Sequence, residues 1–103
     1  MEVHLAPGQS PALTDPDDLR RFSVVAAAPA SALPELVAAS QGALDFDGDG
    51  HAWVSVDWLL EASGRRSSAE WMKGFEAMKA YAARQGWVRD DPPAIRGHVV
   101  WQG

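Results

Sequence analysis

The sequence contains no cysteine, only two lysines and no long run of apolar residues. The absence of cysteine excludes disulfides, thiolate metal sites and a cysteine nucleophile, and it fits a reducing compartment. No segment approaches the roughly 20 apolar residues that a membrane-spanning helix needs, so we expect no membrane association. The first residues lack the basic flank and apolar run of a secretory signal, which predicts a cytoplasmic protein.

The chain also lacks an excess of positive charge. Nine lysine and arginine residues face 14 aspartate and glutamate residues, which gives a net charge of −5 at pH 7. This balance disfavours nucleic acid and anionic lipid as partners. Up to Val56, Arg20 and Arg21 are the only arginines or lysines. The scarcity of lysine relative to arginine and the abundance of alanine are typical of a bacterial protein from a GC-rich genome.

Helical and extended patterns alternate along the chain and predict an α+β fold. The clearest element is a helix over 67–85, in which Ser67 and Glu70 match a capping box and Gly86 supplies the end. Shorter helical patterns lie at 14–21, 34–41 and 56–64, and strands are predicted at 22–28, 43–56 and 87–101. We predict a small antiparallel sheet of about four to five strands, with three to four helices packed on one face.

The length of 103 residues, of which 47% are hydrophobic, fits a single domain with a core that needs no cross-links. We therefore expect one α+β domain over residues 1–103. Pro7, Gly8 and Pro11 interrupt the beginning of the chain. Because these residues disrupt regular structure, we expect residues 1–14 to form an irregular N-terminal arm.

One stretch, "DFDGDG" at 45–50, points to a specific chemistry. Asp45, Asp47 and Asp49 match the first, third and fifth ligand positions of a helix–loop–helix calcium site, and Gly50 matches the sixth. Position 12 holds Val56 in place of the bidentate glutamate. The match covers only six residues, so the three aspartates are weak candidates for a cation site, and we predict no bound metal or other cofactor.

A hairpin turn is the alternative interpretation of the same stretch. Asp49 and Gly50 form a favoured pair for a two-residue turn with positive φ at both positions. In that register Phe46 lies opposite Trp53. An aromatic cross-strand pair of this kind contributes about 0.2–1 kcal/mol without any metal.

The histidines His4, His51 and His98 are too far apart in sequence to indicate a metal cluster. The chain has no nucleophile elbow and no phosphate-binding glycine loop. His51 and His98 remain candidate general bases, because histidine titrates near neutral pH. A small enzyme with a His/Asp site near the 45–51 turn is therefore one alternative function.

Five tryptophans are many for a chain of this length. Large rings of this kind bury about 150–250 Å² each, so most should lie in the core. Trp53 and Trp101 are the two that we expect to be partly exposed. Along the last predicted strand, Arg96, His98 and Val100 should share one face, and Ile95, Gly97, Val99 and Trp101 the other. The candidate residues for binding a ligand or partner are Trp53, Arg96, His98 and Trp101.

From His51 onward, the predicted order of strand, short helix, turn, long helix and hairpin resembles a winged helix-turn-helix. The resemblance implies that 67–85 is a recognition helix, that 87–101 is the wing, and that Arg65 and Arg66 contact phosphate. Against it, the helix and the wing both carry acidic residues, whereas nucleic-acid binders present a basic stripe. A winged-helix-like nucleic-acid-binding protein is thus a second alternative.

The sequence favours a non-catalytic binding or accessory module for a partner protein or a small apolar ligand. A homodimer is an alternative that the sequence leaves open. Two arrangements would distinguish these occupants. An enclosed cleft on which Arg96, His98 or Trp53 converge would favour a small ligand or an enzyme. A flat, exposed aromatic patch would favour a partner protein or a second copy of the chain.

Overall fold

The computed structural model describes all 103 residues, as three α-helices and a seven-stranded sheet, so the α+β class is confirmed. None of the helices is long and apolar enough to cross a membrane. A 3-10 turn, Ala30–Ala32, precedes the first α-helix. In chain order the elements are β1 Glu2–Leu5, β2 Ala12–Thr14, β3 Ser23–Ala26, α1 Leu33–Ala39, β4 Leu44–Asp47, β5 His51–Ser55, α2 Val56–Ser63, α3 Ala69–Arg84, β6 Val88–Asp90 and β7 Pro93–Trp101.

The sheet is larger than predicted and is mixed rather than antiparallel. Its strand order is β2-β1-β3-β7-β5-β4, and β6 also pairs with β7. The pairs β1–β3 and β3–β7 are parallel, and all others are antiparallel. β1 and β3 are parallel, yet no long helical crossover connects them. β2 runs antiparallel to β1 and brings the chain back to the end of the sheet at which β1 begins, so β3 can start there.

The predictions for residues 1–21 are wrong in two respects. Residues 1–14 form no irregular arm but contain β1 and β2, with Val3 and Leu5 fully buried. The predicted helix at 14–21 is replaced by turns, in which the Asp18 N–H donates to the Asp15 carbonyl at 3.0 Å. Asp15 has a φ of 50°, outside the right-handed helical region, so a helix does not start there.

β7 has a divided edge. On one side it pairs with β5 over 94–98, and on the other it pairs with β6 over 93–95 and with β3 over 98–101. Arg96 and Gly97 lie in the interval between β6 and β3. The Phe22 ring covers this interval so closely that a Cβ on Gly97 would lie 3.0 Å from Phe22 Cε2. Glycine at this position therefore makes room for the ring.

The three helices cover one face of the sheet, and strand and helix residues share one buried cluster. Phe75 of α3 is fully buried and stacks on Trp71, with ring centroids 5.2 Å apart. Of the other indoles, Trp58 and Trp101 are partly buried against the cluster, whereas Trp87 is 41% exposed. The sheet supplies most of this interior, and α3 contributes Trp71, Phe75 and Ala82 to it.

The α3 helix begins one residue later than its sequence suggests. Ser68, not Ser67, is the N-cap, and its Oγ accepts a hydrogen bond from the Trp71 N–H at 3.2 Å. We expect Ser68→Ala to lower the free energy of unfolding by about 0.5–2 kcal/mol. Ser67→Ala removes the neighbouring, exposed hydroxyl and should change it by less than about 0.5 kcal/mol. Urea denaturation measures both, and equal losses would contradict the assignment of the cap.

The β4–β5 hairpin also departs from the prediction by one residue. Phe46 lies opposite Ala52, and Trp53 lies opposite Asp45, because residues 48–50 form a three-residue loop with Gly48 at φ 69°. A shift of one residue exchanges the two faces of a strand. Phe46 therefore packs on the helix side, while Trp53 lies on the opposite, open face of the sheet.

Candidate ligand-binding cavity

A cavity of about 520 Å³ opens where the edge of β7 is divided between β6 and β3. Its walls come from residues 19–22, from the C-terminal half of α3, from Trp87 and from β7. The volume lies within the range of about 300–1,000 Å³ typical of small-molecule sites. The apolar side chains that line it are Leu19, Phe22, Met78, Tyr81, Ala82, Trp87 and Ile95.

The remaining lining residues are all basic or imidazole side chains: Arg20, Arg21, His51, Arg96 and His98. No carboxylate lines the cavity, although acidic residues outnumber basic ones in the chain. Arg20 and Arg21 are exposed and take part in none of the ion pairs of the protein. The cavity thus combines an apolar wall with uncompensated positive charge.

Arg96 alternates with the buried residues Ile95 and Gly97 along β7, and it lines the cavity. Its Nη2 donates to Asp47 Oδ2 at 3.0 Å, while its Nε is buried and has no hydrogen-bond acceptor. A buried N–H without an acceptor costs about 1–3 kcal/mol. The guanidinium is therefore only partly satisfied by the protein.

His51 and His98 are direct cross-strand partners of β5 and β7. Their rings meet edge to face, with centroids 5.4 Å apart and an interplanar angle of 73°. Neither imidazole forms a hydrogen bond with another protein group. Both rings can therefore offer a nitrogen to a ligand, as donor or acceptor according to tautomer.

The structure brings two of the four predicted site residues together and separates the other two. Arg96 and His98 both line the cavity. Trp53 lies outside it, beneath the Arg89 guanidinium, whose Cζ is 5.3 Å from the ring centroid. Trp101 is also outside it, because its Nε1 donates to the Asp49 carbonyl in the β4–β5 loop at 2.6 Å.

Sequence reasoning missed the remaining walls of the cavity, which come from 19–22, from Met78 to Ala82 and from Trp87. One signal was available. Arg20 and Arg21 are isolated cations in the acidic first half of the chain, directly before an aromatic residue, Phe22. The contact between Phe22 and Gly97 forms only in the tertiary structure, so no local sequence pattern predicts it.

The aspartates of the 45–50 stretch do not converge on a metal site. No group of three histidine, aspartate or glutamate side chains has the geometry to hold a metal ion. Asp45 instead pairs with Arg89 at 2.9 Å, and Asp47 pairs with Arg96. Two of the three carboxylates are therefore counter-ions for arginines on the open face.

The arginines that the winged-helix resemblance assigns to phosphate contacts are already paired. Arg65 donates from Nε and Nη2 to the two carboxylate oxygens of Asp17, both at 3.1 Å, and Arg66 contacts Glu61 at 3.5 Å. The hydrogen bonds from Arg65 hold the pKa of Asp17 below its ordinary value. This pair supports the folded state above the ordinary carboxyl pKa, and its contribution disappears as the pH falls through the lowered value.

The chain matches no protein-family model, and no curated protein or solved structure matches it significantly. The cavity and the residues that line it are therefore the basis for assigning a function.

Proposed function

We propose that the protein is a non-catalytic binding module for a small, largely apolar ligand, and that the cavity beside β7 is the binding site. The observation that carries the proposal is the cavity itself: seven hydrophobic residues and five arginines or histidines surround about 520 Å³. An apolar pocket with a few convergent polar groups is the arrangement that small-molecule sites use.

The position of the cavity supports the same proposal. It lies between elements that the core holds in place, because Phe22 packs on Gly97 and Ala82 is buried in α3. A preformed site loses little conformational entropy on binding. The large exposed apolar residues do not gather into one flat patch: Val37 is on α1, Val100 on β7, and only Tyr81 and Trp87 adjoin, at the cavity. This arrangement favours a small ligand over a partner protein.

The small-enzyme alternative depends on His51 and His98. General base catalysis needs a base that is oriented by a second group and lies within hydrogen-bond reach of the group it deprotonates. Neither imidazole donates to a carboxylate, and no serine hydroxyl is hydrogen-bonded to either ring. A binding function needs no group that orients the histidines, so it fits the observed arrangement of His51 and His98 better than catalysis does.

The neutral probe naphthalene-2-carboxamide tests the proposal. Fragments of this size bind apolar pockets with dissociation constants on the order of 1 mM. We expect amide and indole NMR signals of Phe22, Trp87 and His98 to shift on titration, and those of Val37 on α1 to stay in place. An absence of shifts, or shifts that map away from the cavity, would contradict the proposal.

Two substitutions of alanines on α3, one inside the cavity and one outside it, test where the ligand binds. Ala82 lines the cavity, whereas Ala80 is exposed on the same helix. Ala82→Leu fills part of the cavity and should weaken binding of the carboxamide roughly tenfold, because overfilling a packed site costs about 1–3 kcal/mol. Ala80→Leu makes the same chemical change outside the cavity and should leave the affinity unaltered.

A further inference from the structure

The charged side chains around the cavity indicate the chemical class of the ligand, which the apolar wall alone does not. Three arginines line it and no carboxylate does, in a chain with a net charge of −5. Of the nine lysines and arginines, four form no ion pair, and two of these four, Arg20 and Arg21, line the cavity. Positive charge left uncompensated beside an apolar surface attracts an anion.

Arg96 adds a second, independent observation. Asp47 accepts a hydrogen bond from Nη2 alone, and the Arg96 side chain remains 31% exposed where it lines the cavity. A guanidinium presents its donors as a planar fork that matches the two oxygens of a carboxylate. The unbonded imidazole of His98 on the same strand adds a further donor at the same wall.

We propose that the ligand is an aromatic carboxylate, an inference that rests on the ligand-binding function proposed above. Its carboxylate lies among Arg96, His98 and the pair Arg20 and Arg21. Its ring lies against the aromatic wall, which is made of Phe22, Tyr81 and Trp87. Offset stacking and edge-to-face contacts with three aromatic side chains favour a flat ring over a flexible aliphatic chain.

Two probes of equal shape separate charge from apolar contact: naphthalene-2-carboxylate and the neutral naphthalene-2-carboxamide. By NMR titration at pH 7 and low ionic strength, the carboxylate should bind roughly tenfold more tightly than the carboxamide. This preference should shrink when the salt concentration rises from about 0.02 M to about 0.5 M, because salt screens partly exposed charges. The affinity of the carboxamide should not depend on salt.

A double substitution and its matched control assign the preference to the cavity. Arg20→Gln with Arg21→Gln removes two cations that form no ion pair, so folding should be undisturbed. Lys73→Gln with Arg66→Gln removes two exposed cations that do not line the cavity. The first pair should reduce the preference for the carboxylate over the carboxamide roughly tenfold, and the second should leave that preference unchanged.

The outcomes separate this inference from the function on which it rests. Equal binding of the two probes, or an equal effect of the two double substitutions, would contradict the inference that the ligand is anionic. It would not contradict the proposed binding site. Failure of both probes to bind would overturn the proposed function itself. Tight binding of the carboxylate that depends on Arg20 and Arg21 supports both.

Discussion

Phe75→Ala is expected to lower the free energy of unfolding by about 3–5 kcal/mol. Phe75 is completely inaccessible to solvent, stacks on Trp71 and belongs to the cluster that joins α3 to the sheet. Its truncation removes apolar burial and leaves a cavity that the surrounding backbone cannot fully close. A domain of this size has a total stability of about 5–15 kcal/mol, so the variant should unfold at much lower urea concentration.

The matched control is Tyr81→Ala, which removes a ring of similar size from the same helix. Tyr81 is 53% exposed, so its loss should change the free energy of unfolding by only about 0.5 kcal/mol. Urea denaturation followed by far-UV circular dichroism compares the two variants. A loss of less than about 1 kcal/mol for Phe75→Ala would show that α3 does not pack on the sheet as described.

Gly97→Val is expected to cost about 1–3 kcal/mol and to abolish binding of the carboxamide probe. A Cβ at this position meets the Phe22 ring at 3.0 Å, and the two methyl groups of valine add further bulk. The ring must then move, and because Phe22 lines the cavity, its movement changes the shape of the binding site. The higher strand propensity of valine offsets part of the cost but does not create the missing space.

A double-mutant cycle isolates this contact between Gly97 and Phe22. In a Phe22→Ala background the ring is absent, so Gly97→Val should cost at least about 1 kcal/mol less than in the unaltered protein. Chemical denaturation of the four proteins gives the coupling free energy. A cost that is the same in both backgrounds would mean that some other neighbour resists the valine.

The sequence predicts the longest helix well because its signals are local and repeated. Trp71, Phe75 and Ala82 recur at helical spacing within this helix of 16 residues, and all three are buried. The cap was misplaced by one residue because Ser67 and Ser68 are both good N-caps. The hairpin register was misplaced because a three-residue loop at 48–50, with Gly48 at positive φ, replaces the two-residue turn predicted at Asp49 and Gly50.

The parts of the fold that were missed depend on contacts between distant segments. β1 and β2 have four and three residues and are separated by prolines and a glycine, so neither has a strong local pattern. The outward positions of Arg96 and His98 followed from alternation along β7. Their association with Arg20, Arg21 and Phe22 follows only from the pairing of β3 with β7, which no local spacing encodes.

That same pairing governs when the chain can acquire its native structure. β3 joins Ser23 to His98, and β1 and β2 attach to the rest of the sheet through β3. Contacts between such distant residues form slowly. On the ribosome, the first three strands have no site to dock until residues 98–101 have emerged from the exit tunnel. Until then, the edge of β3 that pairs with β7 stays unpaired, and an unpaired strand edge favours aggregation.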